Sequence, residues 1–351
     1  MKRWLGRHDD SGQRIKGIEV SAIGLGSWAI GGAMLDETGS GHSWGNVDDD
    51  DAVSAMQWAM DTGITFFDTS NNYGCGHAER LIGRAIAGRR DEVVLASKFG
   101  YRCQAESRII VGEDIRPAAI REMLAQSLAN LGTDRLDLYQ LHIASLELDD
   151  ALRVRDLLET LVDEGQIGGY GWSCNNAEKI VQFAESDNCL AIQHHLNLFE
   201  RTQSVLDVCK CVGVTSIARG PLGMGLLTGK YTTNTVMPED DFRHDWNLQD
   251  GRQGQQLVLL ERIRDILTQN GHSLPQAVLA WLLSYGDAII PIPGFKTLTQ
   301  VQDTMGVLEK GRLDASQMND VAELLTPEAI SVLEQHHFGR YLLRKVKLLT
   351  E

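Results

Sequence analysis

The feature that most constrains the fold of this 351-residue chain is a repeated alternation between apolar runs and amphipathic helical patterns. The apolar runs, each typical of a buried strand, lie at 20–28, 64–68, 93–98, 136–142, 168–173, 190–197, 215–220 and 288–293. Helical patterns lie between them at 48–60, 78–87, 117–131, 148–164, 177–185, 202–211 and 275–284. Near-continuous apolar strands that alternate with helices are typical of a parallel sheet covered by helices.

Eight such units predict an α/β fold, a (β/α)8 TIM barrel. Residues 1–19 alternate around an Asp10-Ser11-Gly12 turn and predict an N-terminal β-hairpin. Two stretches, 29–46 and 229–256, predict long loops at the C-terminal face. A doubly wound open sheet is the alternative, but no Gly-x-Gly-x-x-Gly follows the first strand. Without a composition shift or linker, we predict a single domain over 1–351 that ends in a helical tail at 312–351.

Charge and cysteine usage exclude several classes of protein. The net charge of -15 argues against binding to nucleic acids or anionic membranes, because both need a basic surface. The six cysteines lack framework spacing and predict reduced thiols, and Cys209-x-Cys211 lacks the second pair of a zinc site. No apolar stretch reaches the roughly 18 residues that a membrane span needs. We therefore expect a cytoplasmic protein without a metal site.

The stretch 66–83, where an apolar run ends and a helical pattern begins, carries the most specific motif. The motif is Asp68-Thr69-Ser70-x-x-Tyr73-Gly74-x-Gly76-x-x-Glu79-x-x-x-Gly83. It resembles the signature of the aldo-keto reductase superfamily, and the resemblance continues in ordered segments from about residue 20 to 308. The resemblance implies a (β/α)8 barrel that reduces carbonyl compounds with a nicotinamide cofactor.

Three predicted strands end in a titratable residue: Asp68, Lys98 and His142. The carboxyl ends of barrel strands share one face, so these side chains should converge there with Tyr73 from the adjoining loop. Carbonyl reduction needs a proton donor, and an unperturbed tyrosine has a pKa of about 10. A nearby ammonium lowers that pKa, and a paired carboxylate keeps the ammonium charged.

These arguments assign a role to each of the four residues. We predict that Tyr73 is the general acid, Lys98 tunes its pKa, Asp68 holds Lys98, and His142 donates a hydrogen bond to the carbonyl oxygen. The four match the catalytic tetrad of the superfamily that the chain resembles. Taken singly, Asp68 could cap the next segment, Lys98 could be a surface charge and His142 a core histidine, but their joint placement at strand ends favours the catalytic interpretation.

The same resemblance implies a set of cofactor-binding residues. On the nicotinamide side they are Ser173, Asn175 and Gln193, with Gly26 and Trp28 from the first strand. A glycine-rich segment that would approach the pyrophosphate contains Arg219, Gly220, Pro221, Leu222, Gly225 and Lys230. A helix start that would hold the adenosine end contains Gly294, Lys296, Thr297, Gln300, Asp303 and Thr304. Lys296 favours NADPH over NADH because a 2′-phosphate needs a cation.

The substrate pocket is predicted from aromatic and polar residues near these strand ends: Trp28, Trp44, Tyr73, Tyr101 and His142. Such walls suit a small-molecule carbonyl substrate, whether an aldehyde, a ketone or a sugar. Two alternatives stay open. One is an NAD(P)-dependent sugar or polyol dehydrogenase that works in the oxidative direction, and the other is a cofactor-binding regulatory subunit like the potassium-channel β subunits that resemble this superfamily. The oligomeric state is also open.

Overall fold

A computed structural model describes residues 1–9, 11–42, 44–239 and 241–326 of the chain. It begins with an antiparallel hairpin of β1 (Lys2–His8) and β2 (Arg14–Ser21). The predicted hairpin is confirmed and is two residues longer than expected. The Gly6 N–H donates to Thr215 Oγ1 at 2.9 Å, so the hairpin covers the amino ends of the barrel strands.

The remaining strands of the described residues follow in chain order. They are β3 (Leu25–Gly26), β4 (Leu35–Asp36), β5 (Phe66–Asp68), β6 (Val94–Phe99), β7 (Tyr101–Gln104), β8 (Ile109–Glu113), β9 (Leu138–Leu141), β10 (Tyr170–Ser173), β11 (Cys189–His195), β12 (Thr215–Arg219) and β13 (Ile289–Pro291). Eight of them form one parallel sheet in the order β13-β12-β11-β10-β9-β6-β5-β3. Strands β4, β7 and β8 form a separate small sheet above it.

The helices lie between the strands of the parallel sheet and after them. They are α1 (Asp49–Asp61), α2 (His77–Ala85), α3 (Pro117–Leu131), α4 (Leu148–Asp163), α5 (Ala177–Phe183), α6 (Gln203–Val212), α7 (Arg252–Thr268), α8 (Leu274–Ser284), α9 (Leu298–Met305), α10 (Val307–Lys310) and α11 (Ala315–Leu324). Short 3-10 helices span Trp28–Gly31, Arg90–Glu92 and Gly223–Thr228.

Contacts between the first and last strands close the parallel sheet into a barrel. The Gly24 N–H donates to the Pro291 carbonyl and the Gly26 N–H to the Pro293 carbonyl, both at 3.0 Å. Gly26 and Gly294 also form a parallel bridge. The (β/α)8 TIM barrel prediction is therefore confirmed.

Side-chain alternation along β6 shows how the barrel positions its reactive groups. Leu95 and Phe99 pack in the layer between sheet and helices, whereas Val94 and Ala96 belong to the smaller cluster inside the barrel. Because successive side chains in a strand point to opposite faces, Lys98 follows Val94 and Ala96 toward the interior. The ammonium therefore lies at the carboxyl end of the barrel lumen and not at the surface.

The structure corrects several predicted boundaries. The run 20–28 divides between the end of β2 and the two-residue strand β3. The segment between the predicted strand 93–98 and the predicted helix 117–131, for which no strand was predicted, pairs as the β7–β8 hairpin. Helix α7 starts inside the predicted insertion, because Leu260, Ile263 and Leu267 recur at helical spacing and are buried although no side chain caps Gly251.

Other predictions fall partly outside the described residues. The predicted tail over 312–351 includes α11, and its residues from 327 onward are outside them, as is Asp10 of the hairpin turn. No helix within 1–326, apart from the three undescribed positions, is long and apolar enough to cross a membrane. The same residues contain no cluster of metal-ligating side chains.

Candidate active site

Lys98 is the centre of a buried polar network at the carboxyl end of the barrel. Its side chain is fully buried, and Nζ donates to Asp68 Oδ1 at 2.5 Å, to the Thr69 carbonyl at 2.8 Å and to Tyr73 Oη at 3.2 Å. Three donors on one ammonium thus meet three acceptors, so the charge is both paired and fully hydrogen-bonded. The structure brings together three of the four predicted catalytic residues.

Two amides hold the second oxygen of Asp68. Gln140 Nε2 donates to Oδ2 at 3.0 Å and Gln193 Nε2 donates to it at 2.8 Å. Gln140 lies on β9 and was not predicted to take part, because nothing in its local sequence distinguishes it from an ordinary buried glutamine. Since the Gln193 amide nitrogen is used on Asp68, its carbonyl oxygen is the atom left for a ligand, and it suits an N–H donor such as a carboxamide.

The pKa of Tyr73 differs from the prediction. Burial raises the pKa of Tyr73, and the neighbouring charge of Lys98 offsets this only in part. Burial alone would lower the pKa of Lys98, but the charges of Asp68 and Tyr73 and the hydrogen bonds to both together outweigh it and raise that pKa. The lowered phenol pKa expected from the sequence is therefore wrong, because desolvation of the phenolate exceeds its attraction to the ammonium. Tyr73 holds its proton firmly at neutral pH, as a proton donor must.

His142 follows β9 directly and faces the same space. Its ring lies edge-to-face against Tyr73, with centroids 5.9 Å apart, and against Tyr101 at 5.6 Å. Burial, followed by the charges of Lys98 and Arg219, lowers the pKa of His142 well below its usual range. The imidazole is therefore neutral, and only one of its nitrogens carries a proton.

Ser70 and Asn72 control which nitrogen that is. Ser70 Oγ lies 3.0 Å from His142 Nδ1 and donates to Asn72 Oδ1 at 2.6 Å. Because the Ser70 hydroxyl donates its proton to Asn72, its oxygen can only accept a hydrogen bond from His142 Nδ1–H. The other ring nitrogen, Nε2, then carries no proton and is an acceptor. Donation from Nε2 to a carbonyl oxygen, the predicted role of His142, requires the reverse: Asn72 donates to Ser70, and Ser70 donates to Nδ1.

A glycine of the signature explains how the Trp28 loop reaches Tyr73. Gly74 has a left-handed φ of 60°, and a Cβ there would lie 1.8 Å from the Gly31 carbonyl oxygen. Any other residue would push the 3-10 helix Trp28–Gly31 away. With glycine at position 74, the Trp28 ring stacks on the Tyr73 ring with centroids 6.3 Å apart.

Trp28 and Trp44 form an aromatic wall with a residue that the sequence did not single out. Their centroids are 5.0 Å apart, and Phe242 lies 5.4 Å from Trp28 and 4.6 Å from Trp44. Arg243 then covers Trp44 at 4.6 Å and donates to the Met224 carbonyl at 2.8 Å. The 229–256 insertion is thus fastened to the 29–46 loop, and the lone aromatic Phe242 in its polar 238–245 stretch was the available signal.

The other predicted pocket residue, Tyr101, opens β7. Asn71 Nδ2 donates to its carbonyl at 2.7 Å, which ties the β7–β8 hairpin to the loop after β5. A cavity of about 510 Å³ lies nearby between the 29–46 loop and the insertion. Phe242 borders both this cavity and the aromatic wall, but none of Asp68, Tyr73, Lys98 and His142 lines the cavity.

The predicted nicotinamide-side residues lie at neighbouring strand ends. Ser173 is the last residue of β10 and pairs with Gln193 of β11, and Arg219 is the last residue of β12. Asn175 Oδ1 accepts from the His195 N–H at 3.0 Å and lies 3.5 Å from Arg219 Nη2. Gly26 lies on the other side of the network, since it pairs with Asp68, and Trp28 stacks on Tyr73 there. These residues form one continuous border around the Lys98 network.

The glycine-rich segment after β12 forms a tight, irregular turn. Gly220 has a φ of 60° and Gly225 a φ of 92°, with Pro221 and Leu222 between them. Lys230 follows this turn, and its ammonium lies 4.7 Å from the Tyr231 ring centroid. A backbone without Cβ atoms at Gly220, Gly223 and Gly225 is the kind of cradle that lets phosphate oxygens approach N–H groups.

Only some of the residues predicted to bind the adenosine end lie together at the start of α9. Gly294, Lys296, Thr297 and Gln300 surround the start of α9, where Thr297 caps Gln300 N at 3.3 Å and Gln300 Oε1 accepts from Lys296 N at 2.8 Å. Lys296 Nζ donates to the Trp44 carbonyl.

Two further residues predicted for this end lie later in α9 and bond to the protein. Asp303 Oδ1 accepts from Gln276 Nε2 at 3.1 Å, and Thr304 Oγ1 donates to the Gln300 carbonyl at 2.9 Å. Their side chains are therefore occupied within the fold.

Comparison with known proteins agrees with this architecture. The family model "Aldo/keto reductase family" matches residues 22–326. The chain is 32% identical to "Aldo-keto reductase YhdN" of Bacillus subtilis over 88% of this chain and 91% of that protein. It is 35% identical to "Aldo-keto reductase yakc [NADP(+)]" of Schizosaccharomyces pombe over 75% and 79% of the two chains.

Two further similar proteins carry names that state a cofactor or a reaction. An Escherichia coli protein named "NADH-specific methylglyoxal reductase" is 28% identical over 88% of this chain and 96% of its own length. The solved structure of the glycerol dehydrogenase AKR11B4 from Gluconobacter oxydans superposes with a TM-score of 0.74 at 31% identity, covering 88% of this chain and 92% of that one. The chain belongs to the aldo/keto reductase family and is an NAD(P)H-dependent oxidoreductase.

Proposed function

We propose that this protein reduces the carbonyl group of a small aldehyde, ketone or sugar to an alcohol, with Tyr73 as the general acid. The contact between Lys98 Nζ and Tyr73 Oη at 3.2 Å, inside a network completed by Asp68, is the observation that carries the proposal. A phenol that keeps its proton at neutral pH beside a buried ammonium is suited to protonate a developing alkoxide.

The cofactor would supply the hydride, and the chain's own residues handle the proton. As Tyr73 gives up its proton, the phenolate that forms is stabilised by Lys98, whose charge Asp68 preserves. His142 orients the carbonyl oxygen through Nε2 once Ser70 donates to Nδ1. Trp28 and Phe242 exclude water from the Tyr73 side, which strengthens each of these electrostatic interactions.

NADPH is the proposed cofactor. The free Gln193 carbonyl oxygen suits a carboxamide, and the Gly220–Gly225 turn suits a diphosphate. Lys296 supports the choice of NADPH, since a 2′-phosphate would offer its ammonium a charge-assisted hydrogen bond in place of the neutral Trp44 carbonyl. One relative is named for NADP(+) and another for NADH, so the family admits both.

Oxidation of a polyol is the second candidate, favoured by the resemblance to a glycerol dehydrogenase structure. In that direction Tyr73 must accept a proton as the phenolate. Because burial raises the Tyr73 pKa, few molecules carry the phenolate at neutral pH. Reduction is therefore favoured near neutrality, and oxidation should need alkaline conditions.

The test is consumption of NADPH or NADH, followed by absorbance, against a panel of aldehydes, ketones and aldoses. We expect turnover with NADPH that falls about 100-fold or more in Tyr73→Phe, the size expected of general acid catalysis. Tyr285→Phe, a change at a partly exposed tyrosine outside the site, is the matched control. Full activity in Tyr73→Phe would refute the assignment, and a wild-type protein that binds cofactor without turnover would favour the regulatory-subunit alternative.

A further inference from the structure

Two free cysteines lie beside the aromatic residues of the site. Cys75 is two residues after Tyr73, in the turn 71–76 that we call the Tyr73 turn, and Cys103 is two residues after Tyr101 on β7. The Cys103 thiol donates a hydrogen bond to the sulfur of Cys75. The fold thus brings two thiols that are distant in sequence into contact next to the proposed proton donor.

Backbone contacts show the same arrangement by distance. Cys103 Sγ lies 3.9 Å from the Tyr101 carbonyl oxygen, and that oxygen accepts from Asn71 Nδ2 at 2.7 Å. Asn71 is the first residue of the Tyr73 turn, which also carries Cys75. The β7–β8 hairpin and the Tyr73 turn are therefore joined both at Asn71 and at the two thiols.

A third segment holds the hairpin and the turn at a fixed separation. Gly31 packs so closely on the Tyr73 turn that a Cβ there would lie 2.8 Å from the Tyr73 carbonyl carbon. At Gly32, the next residue, a Cβ would lie 2.9 Å from Nη1 of Arg108, which belongs to the loop of the β7–β8 hairpin. Because one short segment touches both, the hairpin cannot move away from the Tyr73 turn without losing these contacts.

The backbone at Cys75 has a conformation that favours glycine. Its φ is 52°, and Arg108 has a φ of 54°; these are two of the three non-glycine residues with a positive φ in the described part of the chain. The neighbours of Cys75 on each side, Gly74 and Gly76, adopt positive φ values without strain. Strained residues of this kind concentrate at functional sites. The cysteine at position 75 therefore indicates a use for its thiol.

The surroundings favour the thiolate form of Cys75. The hydrogen bond from Cys103 lowers the pKa of Cys75, and the charges of Arg108 and Arg80 act in the same direction, against the effect of burial. The thiolate is the form of cysteine that attacks an oxidant. Cys103 is partly exposed, so a small oxidant can approach the pair from the hairpin side. A thiolate in contact with a second thiol is the arrangement of a redox-sensing pair.

We propose that hydrogen peroxide converts Cys75 and Cys103 into a disulfide, and that this bond reversibly stops turnover. The Cys75 thiolate attacks one peroxide oxygen and breaks the O–O bond, which gives a sulfenic acid and hydroxide. The Cys103 thiol then attacks the sulfenic sulfur, the S–O bond breaks, and the hydroxyl leaves with the thiol proton as water. In sum, the two thiols lose two electrons and two protons, and peroxide becomes two molecules of water.

The disulfide would change the shape of the site. Bonded sulfur atoms are about 2.05 Å apart, closer than two thiols in contact. Since Gly74 packs against Gly31 and fixes the Tyr73 turn, the hairpin is the part that moves, and Tyr101 moves with it. The Tyr101 ring lies edge-to-face against His142, with centroids 5.6 Å apart. A displacement of about 1 Å near the reacting atoms can cost about 100-fold in rate.

Peroxide treatment of the whole protein tests the proposal. Protein that has been reduced and freed of reductant is incubated with hydrogen peroxide, and its digest is mapped by mass spectrometry without reduction. We expect a cross-link between residues 75 and 103, a fall of about 10- to 100-fold in kcat/KM, and recovery after addition of dithiothreitol.

Variants of the two cysteines separate their roles. Cys75→Ser lacks the thiolate, so it should form no cross-link and keep its activity in peroxide. Cys75→Gly, which suits the φ of 52°, should behave in the same way and covers the case that serine disturbs the turn. Cys103→Ser should form no cross-link and accumulate a sulfinic acid at Cys75, which dithiothreitol does not reduce.

A matched control and two outcomes decide against the proposal or for it. Cys211→Ser, at an exposed cysteine of α6, should respond to peroxide as the wild type does. A peroxide-treated wild type without the 75–103 cross-link, or with the cross-link and full activity, would refute the proposal. So would an equal loss of activity in Cys75→Ser and the wild type, since another group, such as Cys174, would then be the sensitive one.

The cross-link and the turnover are separate measurements, so failure of the two proposals is distinguishable. Only the effect on turnover rests on the proposed reductase function. If no carbonyl compound is turned over but the cross-link forms, the modification site stands and the reductase function fails. Turnover of carbonyl compounds without formation of the cross-link would refute the redox pair alone.

Discussion

At the carboxyl end of the barrel, Lys98 and Asp68 are the centre of a network of side chains that bond to one another. In and before α9, by contrast, the side chains predicted to bind the adenosine end of the cofactor bond to a loop and to their own helix. Lys98, Asp68 and Gln193 come from three different strands and are buried. Lys296 instead contacts the Trp44 carbonyl, and Thr304 bonds back to Gln300. Rigid strands hold the network around Lys98 together before any ligand binds, whereas the proposed site for the adenosine end of the cofactor depends on side chains that would have to exchange partners.

The largest effect is expected where a buried charge loses its partner. Lys98→Met leaves the buried Asp68 carboxyl group without its cationic partner, and we expect a loss of about 3–5 kcal/mol in the free energy of unfolding together with loss of turnover. Adding Asp68→Asn should restore most of the stability without restoring kcat. Urea denaturation and steady-state kinetics on the three variants measure this. Equal stability of Lys98→Met and wild type would show that the network is not preassembled.

The hydrogen-bond chain to His142 should give the next largest effect. Asn72→Asp offers Ser70 only an acceptor, so the proton stays on His142 Nδ1 and Nε2 cannot donate to the carbonyl oxygen. We expect kcat to fall by about 100-fold, as for removal of one oxyanion-stabilising donor. Asn72→Ala releases the Ser70 hydroxyl to donate to Nδ1 and should lose much less. Similar losses in the two variants would show that the tautomer of His142 does not control the reaction.

The smallest effect is expected at the α9 end. Lys296→Met should raise the dissociation constant for NADPH by about 10-fold, the size of a charge-assisted hydrogen bond at a partly exposed site, and leave that for NADH unchanged. Fluorescence titration of tryptophan by each cofactor measures both constants. Lys310→Met, at a lysine bonded to the Gly271 carbonyl, is the control. An equal change for NADPH and NADH would exclude contact with a 2′-phosphate.

Much of the fold could be predicted because it depends on local periodicity. Apolar runs separated by helical patterns indicated eight strands, and a parallel barrel places all their carboxyl ends on one face. That rule was enough to group Asp68, Lys98 and His142 with Tyr73, and in the structure Lys98 bonds directly to both Asp68 and Tyr73. The β7–β8 hairpin was not predicted because its strands are short. The start of α7 was not predicted because no side chain caps it.

What only the tertiary structure decided involves contacts between distant residues and the removal of water. Gln140 shares Asp68 with Gln193, and Phe242 reaches Trp28 across the site, although no sequence spacing links these pairs. The direction of the Tyr73 pKa depends on how much water the fold removes, which a pattern of residue types does not contain. The sequence by itself determined the barrel and the identity of its reactive groups; the packed structure determined their protonation and their partners, because both depend on which distant side chains meet and on how much water is excluded.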